Sequence, residues 1–324
     1  MDRIRNDAAA HCCAECGVEG GVSLKACMSC KLAKYCNVNC QRNHWPKHKK
    51  ECKIQAAKLH DQALFKDPPA KEDCPICFIP MPYKLISCIT LPPATIMSVP
   101  VYDFAIANEE LVDKDTETYC PCCGKTICAG CLYSCCVPGN TRKCPFCNSE
   151  RKINATDEDK IAELMKRVEA NDANSIYALG TFYYHGQLGL SQDQEKAKQL
   201  LMRAAELGYS HAHCLLANVH EEGGDLKKAK FHYESAAMAG NDVARFNLGA
   251  MEMKSRNGNR ALKHFTIGAS TGCFQSMHHL RKLYEKGIVS RDAINSTLTA
   301  YNNSCAKMRS EARDSYIRII ANEL

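Results

Sequence analysis

Tryptophan occurs once in these 324 residues, and of 23 cysteines only Cys214, Cys273 and Cys305 lie beyond Cys147. The second half therefore has too few thiols for a metal or disulfide framework. Long apolar runs are also missing. The most apolar stretch, 85–107, is broken by Pro92, Pro93 and Pro100 and carries Asp103, short of the roughly 20 residues a membrane-crossing helix needs. The opening MDRIRNDAAAHCC has no apolar core of a secretory leader, so no membrane role is expected and disulfides are not. The 20 cysteines up to Cys147 read instead as thiolate ligands in a reducing compartment, cytoplasmic or nuclear. Net charge is +6, with 45% hydrophobic and 24% charged residues, an ordinary globular balance of two to three domains. Between residues 11 and 60 nine Lys/Arg face three Glu, a local excess of +6. No aromatic platform or base-reading motif accompanies that excess, so nucleic acid is not the expected partner.

Within forty residues the chain offers Cys13-x-x-Cys16, Cys27-x-x-Cys30, Cys36-x-x-x-Cys40 and His48-x-x-x-Cys52. Pairs two residues apart turn onto one metal without strain, and the last two pairs, at i and i+4, share one face of a short helix. The wording around them, Tyr35-Cys36, Cys40-Gln41, His44-Trp45-Pro46-x-His48 and Lys49-Lys50-Glu51-Cys52, resembles a MYND zinc finger. The resemblance implies one zinc on Cys13, Cys16, Cys36 and Cys40 and a second on Cys27, Cys30, His48 and Cys52. It favours His48 over His44 and leaves Cys12 as a spare thiol. It also implies a groove for short proline-containing peptides, which Trp45 could wall. Sites closed by four Cys/His ligands are structural and supply folding free energy.

A second cysteine set runs Cys74-Pro-Ile-Cys77, Cys120-Pro-Cys122-Cys123-Gly124-Lys125-Thr126-Ile127-Cys128-Ala129-Gly130-Cys131 and Cys144-Pro-Phe-Cys147. Its closely spaced pairs can furnish two more tetrahedral sites. The spacing resembles an all-cysteine RING finger with a long insertion at 78–119. Lys125 stands where a histidine ligand is usual and has no lone pair to offer. The cross-brace order of that family implies one zinc on Cys74, Cys77, Cys128 and Cys131, and another on Cys144 and Cys147 with an upstream pair. Cys123 belongs to that pair, with either Cys122 or Cys120. The resemblance further implies a shallow apolar surface that holds a ubiquitin-conjugating enzyme, with Ile76, Leu132 (or Tyr133) and Pro145 as contacts. Asn148 takes the place where such ligases commonly carry arginine.

The rest of the chain repeats itself. Lys196-Ala197, Lys228-Ala229 and Arg260-Ala261 recur every 32 residues, with an echo at Asp292-Ala293, and Gly208, Gly240 and Gly272 follow at a fixed offset. Paired small residues (Ala204-Ala205, Ala236-Ala237, Gly268-Ala269) precede each glycine, and Leu216, Leu248 and Leu280 follow. A period of this length signals helix pairs stacked into a solenoid. Together with Leu179-Gly180 and the loop Gly186–Asp193, the pattern resembles Sel-one-like repeats of the tetratricopeptide superfamily, which implies a protein-binding scaffold. His185, His211, His213, His278 and His279 lack partners at ligand spacing and read as packed or exposed side chains.

The expected organisation is a MYND finger at 11–54, a helical linker at 55–72, a RING-like finger at 73–150 and a solenoid with closing helices at 157–324. In fold class this is a pair of small zinc-stabilised α+β modules followed by an all-α solenoid. Four Zn²⁺ ions are expected, two per module. The function that follows is an adaptor with a RING-type ubiquitin-ligase head, its substrates recruited by the finger and the repeats. The alternative is an interaction scaffold in which the RING-like fold is only structural.

Overall fold

Asn37 opens helix α1 (Val38–Leu64): its backbone is extended and its side chain accepts the N–H of Cys40 at 2.9 Å, satisfying a donor with no partner inside the helix. The computed structural model describes residues 12–18, 23–81, 117–120, 122–136, 143–144, 146–150, 156–311 and 313–314. Most of the 78–119 insertion and Pro145 fall outside these residues, and of Leu132 and Tyr133 only the backbone is described. The chain divides into two units, Met1–Lys66 and Asp67–Leu324.

In the first unit a short antiparallel ladder joins β1 (Lys25–Ala26) to β2 (Lys34–Tyr35), pairing Lys25 with Tyr35. The helix that follows has 27 residues, so the short helix expected around the ligands and the helical part of the 55–72 linker are one element. Cys36 precedes the N-cap. The Cys36/Cys40 pair therefore straddles the helix start instead of sharing a helical face, because the extended Asn37 breaks the periodicity between them.

The second unit opens with a hairpin of β3 (Glu117–Cys120) and β4 (Lys125–Cys128), in which Cys120 pairs with Lys125, and runs directly into α2 (Ala129–Cys136). Helices α3 (Asp157–Glu169), α4 (Ala173–His185), α5 (Gln194–Glu206), α6 (Ser210–Glu222), α7 (Leu226–Met238), α8 (Asp242–Lys254), α9 (Gly258–Ser270), α10 (Phe274–Glu285) and α11 (Arg291–Lys307) follow. The 32-residue period is now concrete, since α5, α7 and α9 begin that far apart.

Local chemistry sets each boundary. The glycines at 208, 240 and 272 lie at φ +85, +88 and +93, and Tyr209, Asn241 and Cys273 donate back to the carbonyls of Ala204, Ala236 and Gly268 at 3.0–3.1 Å. This double-bonded helix end needs a left-handed residue, which glycine supplies without a Cβ clash. Asp172, Asp193, Asp225 and Asn241 cap α4, α5, α7 and α8 through their side chains. Small residues then let helices approach. A Cβ on Gly249 of α8 would lie 2.5 Å from the buried ring of Phe265 on α9. Leu201, Leu216, Leu248 and Leu280 are buried in the cores so formed, as the repeat pattern implies.

Candidate metal centres

Four groups of side chains bring their ligand atoms within 4.8 Å of one another: Cys13, Cys16, Cys36 and Cys40; Cys27, Cys30, His48 and Cys52; Cys74, Cys77, Cys128 and Cys131; and Cys122, Cys123, Cys144 and Cys147. In each module the groups interleave along the chain, first pair with third and second with fourth. The backbone prepares them in a common way. In the turns that begin at Cys13, Cys27, Cys74 and Cys144, the N–H four residues on (Gly17, Lys31, Phe78, Asn148) donates to the first cysteine's carbonyl at 2.8–3.0 Å. Those four residues all have φ between +54 and +71. Three of them are not glycine, and no local sequence signal announces them.

The donor sets fit zinc. Thiolates on a tetrahedral Zn²⁺ at about 2.3 Å stand about 3.8 Å apart. The observed Sγ–Sγ separations are 3.6 Å for Cys16–Cys36 and Cys36–Cys40, 3.7 Å for Cys27–Cys52, 4.0 Å for Cys77–Cys128 and 3.8 Å for Cys123–Cys144. A disulfide would require about 2.05 Å. Cys30 Sγ lies 3.2 Å from His48 Nε2, placing the imidazole in the second site. His44 stays out of it, its Nδ1 bonded to the Tyr35 hydroxyl at 2.9 Å and its ring stacked on that of His48. Trp45 is 40% exposed and touches His48 edge-on.

Thiol acidity points the same way. Backbone N–H groups of Cys16 and Cys36 hold Cys13 down at about 6. Burial raises Cys27, Cys74 and Cys144, yet backbone donors outweigh it: Cys30 for Cys27, Cys128 for Cys74, and Cys147 for Cys144 bring them to about 6, 7 and 6. At least one other member of each cluster goes the opposite way. Cys40 is pushed up to about 12 by its bond with Cys36, Cys52 and Cys122 to about 12 by burial and neighbouring thiolates, and Cys131 upward by burial and Cys128. One thiolate forms readily and its charge keeps another thiol protonated. A dication among them would stabilise every thiolate at once. With four ligands each, such sites keep no open position for substrate and are structural.

Between Cys120 and Cys122 the geometry is specific. The turn at Cys120 has the same backbone bond as the others, from the Gly124 N–H at 2.8 Å, but the thiol gathered with Cys144 and Cys147 is that of Cys122. Cys120 remains in the module's own core, with Ile127 and, half-buried at its edge, Ile76. The tempting histidines of the repeats lie among packed neighbours: His213 Nδ1 meets His232 Nδ1 at 3.0 Å, and His279 Nδ1 lies 3.3 Å from the Gln275 carbonyl.

Contacts that tie the second zinc module to the helices have no counterpart in the sequence reading. Tyr119, one residue before the knuckle, packs against the core of α3–α6. Its hydroxyl donates to Asp172 Oδ1 at 3.0 Å and lies 2.6 Å from Ser175 Oγ. Arg167 donates to the Cys122 carbonyl at 2.6 Å, and Asn174 to Thr126 Oγ1 at 3.0 Å. Farther along the solenoid, Lys71 pairs with the buried Asp242 at 2.9 Å. Burial, with the Asp172 carboxylate beside it, pushes the Tyr119 phenol up to about 12, so it remains a donor at any physiological pH.

Residues 13–52 match the MYND finger family, and residues 173–209 and 210–241 match the Sel1 repeat family. Over 47 residues the chain is 47% identical to a SET and MYND domain-containing protein of Dictyostelium discoideum, covering 13% of this chain and 9% of that protein. Over 34 residues it is 50% identical to the human histone-lysine N-methyltransferase SMYD3, covering 10% of this chain and 8% of that protein. The chain thus spans less than a tenth of either relative. A third likeness is to human cytochrome c oxidase assembly factor 7, 34% identical over 112 residues, which is 31% of this chain and 48% of that protein. Among solved structures, a Sel1 repeat protein from Oxalobacter formigenes aligns with a TM-score of 0.41 at 24% identity, over 48% of this chain and 67% of that one. The chain carries a MYND finger and Sel1 repeats, with two further cysteine clusters suited to zinc between them.

Proposed function

We propose that this protein is an interaction adaptor whose second zinc module is RING-like and docks a ubiquitin-conjugating enzyme, while the finger and the repeats recruit the protein to be modified. MYND fingers and Sel1 repeats are protein-interaction modules, and four closed metal centres stabilise without catalysing. The observation that carries the ligase reading is the interleaving of Cys74, Cys77, Cys128 and Cys131 with Cys122, Cys123, Cys144 and Cys147, the cross-brace order of a RING. In such a module the chemistry belongs to the charged enzyme it holds. Ile76, half-buried against the core of this module, supplies the apolar contact. On the finger, Met28, Leu32, Val38 and Trp45 are exposed apolar side chains, which supports capture of a proline-containing peptide. Fifteen thiols gathered as metal ligands suit a reducing compartment, cytoplasmic or nuclear.

A second reading has an observation of its own. The RING-like module is bonded to the solenoid through Tyr119, Arg167 and Asn174, and Asn148 replaces the usual arginine, features that suit a module kept for architecture. An autoubiquitination reaction with a panel of conjugating enzymes separates the two. The ligase reading expects transfer by the wild type, loss in Cys74→Ala/Cys77→Ala, and loss in Ile76→Ala at unchanged zinc content, since truncating a central anchor costs about 2 kcal/mol. Asn148→Arg should raise activity by supplying donors that Asn lacks. Inactivity of the wild type and of Asn148→Arg with every enzyme leaves the scaffold.

A further inference from the structure

Arg313 lies beyond the end of α11, yet it is 5% exposed. A buried guanidinium needs compensating negative charge and filled donors. Its Nη1 donates to the carbonyls of Met308 and Pro80, both at 2.6 Å, and its Nη2 to the carbonyl of Ile79 at 3.1 Å. Nη2 also lies 3.6 Å from Cys77 Sγ, while Nε has no hydrogen-bond partner among the described residues. Among these partners there is no carboxylate. The charge that matches Arg313 is therefore that of the thiolate cluster, which four cysteines on one Zn²⁺ would leave at net −2. The turn that carries the arginine is anchored as well: Lys71 Nζ lies 3.7 Å from Met308 Sδ, and Met308 Cε lies against Gly272.

We infer that Arg313 is a positioning residue for the Cys74/Cys77/Cys128/Cys131 centre, and that it latches the turn after α11, from Met308, to that centre so that metal occupancy and closure of the solenoid's last turn are coupled. Hydrogen bonding to a metal-bound thiolate orients the ligand and offsets its charge, and the carbonyl bonds to Ile79 and Pro80 fix the loop that follows Cys77. By reciprocity, whatever strengthens the metal site strengthens the latch. When the metal leaves, Cys77 and the loop behind it are no longer held in place, the bonds from Arg313 to Cys77, Ile79 and Pro80 loosen together, and the latch opens.

The test uses full-length, zinc-loaded protein in excess chelator, with ions per chain counted over time by native mass spectrometry. Arg313→Met should make one ion leave about 10–100-fold faster, the usual effect of losing an outer partner, while the others leave at the wild-type rate. In a Cys131→Ser background, where that ion is already absent, Arg313→Met should change nothing further. Unchanged release, or equal acceleration of every ion, overturns the inference. A second measurement does not depend on the arginine variant folding. Cys131→Ser, whose side chain is not among the contacts of Arg313, should make trypsin cut after Lys307 and Arg309 at least about tenfold faster while α5–α8 stay protected, by the same coupling. If those sites stay as resistant as in the wild type, the metal does not hold the latch.

Discussion

Tyr119→Phe removes one oxygen from the seam between the second zinc module and the helices, and leaves the ring that packs on the α3–α6 core. No cavity forms. The loss falls on two groups. Asp172 Oδ1 keeps only the N-cap bond from the Ser175 N–H at 2.7 Å, and the wholly buried Ser175 hydroxyl loses its 2.6 Å partner. A buried polar group left unsatisfied costs about 1–3 kcal/mol. In a cooperative unit of this size each kcal/mol moves the melting temperature by about 2–4 °C, so a loss near 2 kcal/mol should lower it by about 4–8 °C. The assay is thermal unfolding of the zinc-loaded protein followed at 222 nm, beside Tyr183→Phe, whose hydroxyl accepts from the exposed Lys196 and should matter by no more than about 0.5 kcal/mol. Should the helical melt of Tyr119→Phe coincide with the wild type, the zinc module and the solenoid do not unfold as one unit, and the seam carries no stability.

Arg256 sits at φ +60, 32 residues after Gly224 at φ +78, in the same helix-ending position. Arg256→Gly should therefore stabilise by about 0.5–1 kcal/mol, read as a higher urea midpoint at unchanged slope. Glu252 is 1% exposed and bonded to Lys230 at 2.7 Å, Asn257 at 2.8 Å and Arg260 at 3.2 Å. Glu252→Ala should cost about 2 kcal/mol, less than a fully buried pair because Lys230 is 40% exposed. Burial raises the Glu252 pKa, but the bonds from Lys230 and Asn257 win and leave it below its ordinary 4.5. Its contribution is thus complete above that value and is lost as pH falls through the depressed one, so the gap between wild type and Glu252→Ala should close on acidification. For the fourth centre, Cys122→Ser should remove one zinc per chain and Cys120→Ser none, measured by native mass spectrometry; the reverse result would assign the ligand to Cys120.

What could be read from residue order was whatever short-range chemistry decides. The knuckles at Cys13, Cys27, Cys74 and Cys144 follow from two-residue spacing, and the helix ends at Gly208, Gly240 and Gly272 from a period that marks the same left-handed turn each time. The thirteen-residue helices between them needed little else. Two local details escaped because they depend on a single dihedral. The extended Asn37 puts Cys36 outside α1, and the hairpin that pairs Cys120 with Lys125 turns the Cys120 thiol inward and that of Cys122 toward Cys144. The long-range seams left no trace at all. Tyr119 and Asp172 are 53 residues apart and Arg313 and Cys77 are 236 apart, and neither Tyr119 nor Arg313 belongs to a repeating pattern. Periodicity reports which face of an element is buried, not which distant side chain covers it.

Counting the metal decides whether the clusters are what their geometry implies. Protein expressed with ample zinc, washed with a weak chelator and examined by native mass spectrometry should carry four Zn²⁺ per chain, with fifteen thiolates and His48 as the ligands. Cys16→Ser, Cys30→Ser, Cys77→Ser and Cys147→Ser should each lower the count by one. A wild type that holds two ions, or single variants that still hold four, would contradict the assignment of two closed zinc centres to each module.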